Sequence, residues 1–284
     1  MKNSLPAMLT EPFVQAALRE DLGRRGDITS ASVVPADLDS QLYIVAREAG
    51  ILCGLTLAQQ SFAMVDPNLQ FQTSLSDGSI LKEGTIIAQV SGKARAMLTA
   101  ERTALNFLTH LSGIATTTHE IQTLIASTGA QVTDTRKTIP GLRTLQKYAV
   151  QIGGGRNHRM GLDDAILIKD NHIAMAGGDI AAVIQQAKLY AGHLIPIEIE
   201  VDNLTQLQAV LKEGVSLVLL DNMTLADLNT AVTWCRGACL TEASGGLNPH
   251  NALAVAETGV DFLAMGYVTH SARYLDIGLD YLLV

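Results

Sequence analysis

Cationic side chains and glycines are concentrated in one stretch of the sequence, residues 134–172. The whole chain carries a formal charge of -8, yet this stretch contains seven Lys and Arg residues and only four Asp residues. The cations are Arg136, Lys137, Arg143, Lys147, Arg156, Arg159 and Lys169. Glycines and a Pro-Gly turn lie among them, and glycine allows backbone N–H groups to approach a ligand closely. This composition predicts a pocket for a small polyanion, with a solvated basic loop as the alternative.

Arginine and lysine would hold such an anion in different ways. Arg136, Arg159 and Arg102 each carry a planar fork that can bind a carboxylate or a phosphate through two hydrogen bonds. Lys137 and Lys169 would add compact point charges. The residue types therefore favour a ligand with several anionic groups.

Acidic residues accompany the predicted strands that follow. Glu200 and Asp221 would face an electron-poor centre or sugar hydroxyls, or would carry Mg²⁺ through water. Cations for anionic groups, with carboxylates opposite them, suit a glycosyl cation that leaves from a diphosphate. Each acid could equally be a structural partner of one cation. For Glu198, whose side chain should point the same way as that of Glu200, the structural and catalytic roles are equally open.

Short apolar runs that alternate with helical segments predict the elements that position these residues. Six runs occur from residue 131 onward, at 132–134, 166–168, 195–201, 218–220, 240–243 and 262–265. Polar or glycine residues stand at their ends, which is typical of a β/α barrel whose site lies at the C-terminal ends of parallel strands. Six strands are fewer than the standard eight, so either strands are hidden elsewhere or the barrel is incomplete. Residues 244–246 and Gly266 suit phosphate binding by loop amides.

The sequence before residue 113 has a different pattern. Alternating strands and a helix over 55–65 predict a small α+β domain, followed by a long apolar helix over 96–111 that should end at Gly113. Arg102 is a charge in the middle of this helix. Its neighbours in the sequence favour an ion pair with Glu101 or with another nearby acid.

Length and composition limit the remaining possibilities. A chain of 284 residues that is 48% hydrophobic and 17% charged is expected to form two domains. Its acidic pI of about 5.3 disfavours nucleic acid, which requires a basic face. No apolar run approaches the ~18 residues of a membrane span, and the start lacks the apolar block of a signal peptide, so no membrane partner and a cytoplasmic location are expected. Three cysteines argue against a disulfide framework.

Several motifs together resemble the quinolinate phosphoribosyltransferase family. In the basic stretch they are Thr135-Arg136-Lys137-Thr138, Pro140-Gly141-Leu142-Arg143, Gly153-Gly154-Gly155 with Asn157-His158-Arg159, and Leu167-Ile168-Lys169-Asp170-Asn171-His172. Elsewhere they are Glu101-Arg102, Glu198-Ile199-Glu200-Val201, Leu220-Asp221-Asn222, Glu242-Ala243-Ser244-Gly245-Gly246 and Gly266-Tyr267-Val268-Thr269-His270-Ser271. Each motif alone is weak. Their shared order and spacing make the resemblance specific.

The resemblance implies an activity and a fold. The implied enzyme is a pentosyltransferase in NAD synthesis, which converts quinolinate and phosphoribosyl diphosphate, with Mg²⁺, to nicotinate mononucleotide, diphosphate and CO₂. The implied fold is α/β, with an N-terminal α/β sandwich over residues 1–112 and an incomplete β/α barrel over 113–270, as in type II phosphoribosyltransferases. The tail, residues 271–284, is expected to pack on the sandwich. A homodimer or a higher homo-oligomer is also implied.

The resemblance also assigns roles to individual residues. Arg136, His158 and Arg159 should hold the quinolinate carboxylates, together with Arg102 donated by a neighbouring subunit, which reverses the expectation of a local ion pair. The catalytic residues would be Lys137, Lys169, Glu200 and Asp221 in the diphosphate and ribose region, with Lys169 also binding substrate and with Glu200 and Asp221 carrying Mg²⁺ through water. Ser244, Gly245, Gly246, Gly266 and His270 should receive the phosphate.

Other functions fit part of the pattern. Lys169 at a strand end could form a Schiff base, as in an aldolase, but such a lysine is better served by an apolar pocket than by a group of cations. A relative of the family associated with molybdenum clusters would act on another substrate, and the intact run from Lys169 to His172 favours the quinolinate enzyme instead. A nucleotide-binding sensor would have no need of both the acids and the cations.

Overall fold

The structure is a computed structural model that describes residues 5–281. In chain order its elements begin with α1 (Ala7–Leu22), α2 (Ile28–Val33), β1 (Asp39–Ala46), β2 (Gly50–Ile51), α3 (Leu55–Val65), β3 (Gln70–Gln72), β4 (Ile80–Leu81), β5 (Ile86–Lys93) and α4 (Ala94–Leu124). They continue with β6 (Gln131–Thr133), α5 (Arg143–Ile152), β7 (Ile166–Ile168), α6 (Asp170–Met175), α7 (Ile180–Tyr190), β8 (Ile197–Val201), α8 (Leu204–Lys212), β9 (Leu217–Asp221), α9 (Leu225–Cys235), β10 (Leu240–Ser244), α10 (Ala252–Ala256), β11 (Phe262–Ala264), α11 (Tyr267–His270) and β12 (Ile277–Asp280). None of the described helices has the length and apolarity that a membrane-spanning helix requires.

The chain divides into two compact units. The first extends to Thr117 and also contains residues 151–153 and the chain from Ala272 on, whereas the second contains 118–150 and 154–271. In the first unit, four strands form an antiparallel sheet in the order β12, β1, β5, β3. The strand from the C-terminal tail, β12, pairs with β1, so that Ile44 lies opposite Leu279. Apolar side chains of this sheet pack with those of α3 and α4 in one core.

Helix α4 does not end where the sequence predicts. The expected break at Gly113 is wrong, because the helix continues from Ala94 to Leu124, and the division between the two units falls after Thr117. A Cβ atom at position 113 would lie 1.9 Å from the backbone carbonyl oxygen of Arg273. Glycine therefore allows the chain near Arg273 to pack against the helix, and it does not terminate the helix.

The second unit contains a parallel sheet of six strands in the order β6, β11, β10, β9, β8, β7. This confirms the predicted α/β class and the count of six strands. The segment around Arg156 extends the sheet beyond β6 through an isolated parallel bridge to Thr133. The backbone N–H of Arg156 donates to the carbonyl oxygen of Val132 at 2.8 Å, so this segment is held like a short additional strand.

Alternation along the strands sorts the polar residues of this sheet into two levels. Side chains two residues apart in a strand point to the same face, so Glu198 and Glu200 on β8 share a direction, as do Glu242 and Ser244 on β10. In each pair the residue nearer the strand end, Glu200 or Ser244, is partly exposed, and the other member, Glu198 or Glu242, is buried. The sheet thus presents one set of polar groups at its carboxyl edge and a second, buried set behind it.

Candidate active site

A cavity of about 720 Å³ lies at the C-terminal ends of these parallel strands. Twelve of the predicted site residues line it: Arg136, Lys137, His158, Arg159, Lys169, Glu200, Asp221, Ser244, Gly245, Gly246, Gly266 and His270. They come from segments spread over more than a hundred residues of the chain. The sheet brings them together because parallel strands present their carboxyl ends at one edge.

Arg102 is the predicted site residue that does not line this cavity. It belongs to the first unit, on α4, and its side chain is exposed. Burial raises the pKa of Glu101, and the charge of Arg102 opposes that shift, so the two neighbours interact electrostatically. The role of Arg102 at a neighbouring subunit's site stays a prediction.

Two arginines of the cavity repel each other. Burial, and then the charge of Arg136, lower the pKa of Arg159, with Glu198 and Asp164 acting in the opposite direction. The Nη1 group of Arg159 donates to the carbonyl oxygen of Ala165 at 2.9 Å, whereas its Nε atom is buried and has no hydrogen-bond partner among the described residues. Two guanidinium groups that repel each other in one cavity favour an anionic ligand.

The other three cations of the basic stretch have structural partners. The Nε group of Arg143 donates to the Thr138 hydroxyl at 3.0 Å, and that of Arg156 donates to Oε1 of Gln131 at 2.8 Å. Lys147 is fully buried and forms an ion pair with Asp134. The excess of positive charge in the sequence therefore overstates the charge that reaches the cavity.

The buried pair of Asp134 and Lys147 supports the cavity wall. Oδ1 of Asp134 also accepts the backbone N–H of His158 at 2.9 Å, and Oδ2 accepts the side-chain amide of Asn157 at 2.6 Å. The amine of Lys147 donates to the carbonyl oxygen of His158 at 2.9 Å. Burial raises the pKa of Asp134 and lowers that of Lys147, while each charge favours the charged form of the other. This network ties residues 157–158 to the end of β6.

Two carboxylates at adjacent strand ends enter the cavity. Glu200 on β8 is paired with the amine of Lys169, which follows β7. Asp221 ends β9, and Oδ2 of its side chain accepts the amide of Asn222 at 2.6 Å. These oxygen donors match the ligands that Mg²⁺ prefers. The pairing of Lys169 with a carboxylate, among other cations, does not suit a Schiff-base lysine, which requires an apolar surrounding.

The turn after β10 depends on close backbone contact with the neighbouring strand end. Gly245 has a φ of 99°, and a Cβ there would lie 2.2 Å from Oδ1 of Asn222. Asn222 itself has a φ of 53°, and its backbone N–H donates to the carbonyl oxygen of Ser244 at 3.0 Å. Asn222 also lines the cavity and was not among the predicted site residues. An Asn directly after a strand-end Asp is a usable signal, since Asn tolerates the left-handed region.

His158 uses both of its ring nitrogens within the protein. Nε2 lies 2.9 Å from Oε2 of Glu198, and Nδ1 accepts the backbone N–H of Arg159 at 2.7 Å. Burial disfavours a charged ring, but the hydrogen bond to Glu198 and the charges of Glu242 and Glu198 outweigh it and raise the pKa of His158. The predicted bond from His158 to a substrate carboxylate therefore requires that one of these contacts be exchanged.

Two protein-family models match nearly the whole sequence of the chain. The N-terminal domain of quinolinate phosphoribosyl transferase matches residues 27–112, and its C-terminal domain matches residues 114–280. The chain belongs to the quinolinate phosphoribosyltransferase family. Within this family it is 44% identical over 274 residues to a nicotinate-nucleotide pyrophosphorylase [carboxylating] of Mycobacterium leprae, covering 94% of this chain and 95% of the relative. It is 40% identical to a probable enzyme of the same name in Bacillus subtilis, over 92% of this chain and 89% of the relative.

Solved structures support the same family. A nicotinate-nucleotide pyrophosphorylase from Francisella tularensis matches with a TM-score of 0.92 and 38% identity, covering 99% of this chain and 98% of the other. NadC from Streptococcus pyogenes matches with a TM-score of 0.93 and 38% identity, over 99% of both chains. A quinolinate phosphoribosyltransferase architecture therefore extends over both units of the chain.

Proposed function

We propose that this chain transfers the phosphoribosyl group of phosphoribosyl diphosphate to quinolinate, with loss of CO₂, and so makes nicotinate mononucleotide for NAD synthesis. One observation carries the proposal. Four cations and two carboxylates from distant parts of the chain line a single cavity in a member of this family. The cations match a dicarboxylate and a diphosphate, and the carboxylates match the ribose and its developing positive charge.

Quinolinate would bind near Arg136 and Arg159. The repulsion between these guanidinium groups is relieved when an anion lies between them. The 2-carboxylate leaves as CO₂, so it should be held less tightly than the 3-carboxylate. His158 is placed beside Arg159 and would complete this subsite.

Phosphoribosyl diphosphate would occupy the rest of the cavity. Lys137 and Lys169 would contact the diphosphate, and Glu200 and Asp221 would face the ribose. The 5-phosphate would lie at the turn that contains Ser244, Gly245 and Gly246, with Gly266 and His270 opposite. The close packing of Gly245 against Asn222 supports this placement, because it leaves the turn without a side chain that could block backbone N–H groups.

Mg²⁺ would be held by Glu200 and Asp221 through water. Two carboxylates on neighbouring strands provide the oxygen ligands, and Asn222 orients that of Asp221. When bound, the ion supplies positive charge that stabilises the leaving diphosphate. Lys169 would then exchange its contact with Glu200 for one with the substrate.

The residues would act on the two steps in sequence. The pyridine nitrogen forms a bond to C1 of the ribose as the bond from C1 to the diphosphate oxygen breaks, and Lys137 and Lys169 stabilise the charge that develops on that oxygen. The bond to the 2-carboxylate then breaks, CO₂ leaves, and the electron pair stays on ring carbon 2 beside the pyridinium. A proton taken up at that carbon completes nicotinate mononucleotide.

A complete site would need a second copy of the chain. Arg102 is exposed on α4 and would reach the quinolinate subsite of a neighbouring subunit in a dimer or a larger oligomer. We also propose a cytoplasmic location. Three cysteines, an odd number, do not suit the disulfide framework of a secreted protein.

The test combines quinolinate, phosphoribosyl diphosphate and Mg²⁺ with the purified chain and measures CO₂ and nicotinate mononucleotide, with nicotinate as the competing substrate. Product from quinolinate but not from nicotinate supports the function, whereas the absence of product with either pyridine acid contradicts it. For the shared site, Arg102→Ala and Lys137→Ala should each be inactive. An equal mixture of the two variants should recover up to about a quarter of the wild-type activity, since about half of its dimers are mixed and each mixed dimer has one intact site of two.

A further inference from the structure

A buried polar cluster lies behind the cavity, and its two glutamates have no part in the proposed reaction. It consists of Thr133, Glu198 and Glu242, from three different strands, and the ring of His158. The Thr133 hydroxyl donates to Oε1 of Glu242 at 2.5 Å, and Nε2 of His158 lies 2.9 Å from Glu198 and 3.9 Å from Oε2 of Glu242. One carboxylate oxygen of Glu198 and one of Glu242 lie within 4.8 Å of each other. Two buried carboxyl groups at this separation cannot both be charged without a large cost in free energy.

The backbone determines the state of the histidine ring. The N–H group of Arg159 points at Nδ1 of His158 at 2.7 Å, and two N–H groups cannot point at each other at that distance. Nδ1 therefore carries no proton in this arrangement. The single proton of the ring is on Nε2 and is donated to Glu198.

One further proton has three candidate positions, which are Nδ1 of His158 and the carboxyl groups of Glu198 and Glu242. The contact with Arg159 excludes Nδ1. Oε2 of Glu198 already accepts from Nε2 of His158, which favours the charged form of Glu198, whereas burial, and then the charge of Glu198, raise the pKa of Glu242 to about 8, so at neutral pH the proton is on Glu242. Oε1 of Glu198 is buried and finds no donor among the described side chains when Glu242 is ionised, and a proton on Glu242 supplies a donor for the contact between the two carboxyl groups.

We propose that Glu242 is a neutral, hydrogen-bonding positioning residue that, with Glu198, holds His158 as the Nε2–H tautomer and thereby positions Arg159 for quinolinate. The link to the site is short. His158 lies on the wall of the substrate cavity and also on that of a second cavity, of about 610 Å³, which is lined by Glu198 and Glu242. Its Nδ1 atom accepts the backbone N–H of Arg159, a residue that lines the substrate cavity. The kinetic part of this proposal rests on the proposed function.

Several charges face the cluster. Glu198 lies on β8, and Lys147 on α5 acts on His158 through its charge. Arg159 is close enough for Glu198 to influence its pKa, and Thr133 on β6 is uncharged. None of these groups removes the need for a neutral member of the carboxyl pair.

The direct test is nitrogen NMR of chain labelled at histidine, which does not depend on any activity. The signals of His158 are assigned by their loss in His158→Asn. At pH 7 we expect Nδ1 in the range of an unprotonated ring nitrogen and Nε2 in that of a protonated one, in the wild type and in Glu242→Gln. Two protonated nitrogens in the wild type would overturn the proposal, because the proton would then reside on His158.

The matched variants are Glu242→Gln and Glu242→Leu. Gln keeps a neutral side chain that accepts from Thr133 and donates to Glu198, whereas Leu keeps the size and loses both bonds. We expect a KM for quinolinate within twofold of the wild type in Glu242→Gln and a rise of tenfold or more in Glu242→Leu. Circular dichroism should show both variants folded, and kcat should change much less than KM.

The pH profile separates positioning from a general structural role. In the wild type, kcat/KM for quinolinate should fall as the pH rises through about 8, where Glu242 loses its proton, and this limb should be absent in Glu242→Gln. If the KM for quinolinate rose as much in Glu242→Gln as in Glu242→Leu, a charged Glu242 would be needed, and the proposal would be overturned. So would binding of Zn²⁺ alone to the wild type that is lost in Glu242→Gln, since the cluster would then be a metal site.

Discussion

Two lysines of the basic stretch each form an ion pair with a carboxylate, yet their surroundings are opposite. Lys147 and Asp134 are both fully buried, whereas the side chain of Lys169 is 42% exposed beside Glu200. The oxygens of Asp134 accept from three groups, including the backbone of His158. Glu200 and Lys169 instead face the cavity, where ligand groups can replace their contact.

The difference separates a structural ion pair from one that is available for chemistry. A buried pair is kept because removal of either charge leaves the other without compensation. A partly exposed pair contributes little to stability, because water and salt screen it. The same two residue types therefore stabilise the cavity wall in one place and line the cavity, where we propose that substrate binds, in the other. The following predictions test this contrast, beginning with the largest effect.

Replacement of Lys147 should cost the most. Lys147→Met leaves Asp134 buried without its cation, so we expect the free energy of unfolding to fall by about 3–5 kcal/mol. Urea denaturation monitored by circular dichroism measures this. The control is Lys169→Met, which should change the unfolding free energy by less than about 1 kcal/mol. Equal losses in the two variants would contradict the contrast.

Loss of catalytic activity, in contrast to loss of stability, should be large when Lys169 is replaced. Under the proposed function, Lys169→Met removes a cation that stabilises the charge of the leaving diphosphate, so kcat/KM should fall by about 10²- to 10³-fold at unchanged stability. Steady-state kinetics with both substrates measure it. Activity within a factor of about three of the wild type would assign Lys169 to structure instead of catalysis.

The buried carboxyl group of Glu242 should make stability depend on pH. Its pKa is raised to about 8 in the folded chain, so between about 4.5 and 8 the folded state holds a proton that the unfolded state releases. Stability from this group is complete below about pH 4.5 and is lost as the pH rises through 8, by up to about 1.4 kcal/mol per pH unit.

Urea denaturation from pH 5 to pH 8.5 tests this dependence. Glu242→Gln should flatten the slope, and Glu257→Gln, at an exposed position, should leave it as in the wild type. A slope unchanged in Glu242→Gln would mean that Glu242 is ionised in the folded chain.

The smallest predicted effect compares two arginines of the stretch. Arg136 lines the cavity, whereas Arg156 holds Gln131 and does not reach it. Arg136→Lys keeps the charge and loses the planar fork, so the KM for quinolinate should rise by about tenfold. Arg156→Lys should leave KM within about twofold. A similar rise in both would show that KM responds to total charge and not to the geometry of Arg136.

The sequence predicted secondary-structure elements better than it predicted contacts between distant parts of the chain. The six strands followed from short apolar runs, and the polar residues at their ends followed from the rule that parallel strands present their carboxyl ends together. Helix α4 was placed correctly but ended too early, because Gly113 serves a close approach of the backbone near Arg273. A contact between residues so far apart in the chain leaves no local pattern.

The sequence by itself determined the family, the class of fold and which residue types could enter the site. Local periodicity and motif order depend only on neighbours along the chain, so they can be recognised without coordinates. Only the tertiary structure decided that Lys147 is buried while Lys169 is partly exposed, and that Glu198 and Glu242 meet His158 behind the cavity. Burial and partner choice depend on which distant strands come together, and these two properties decide whether a charge supports the fold or faces the substrate.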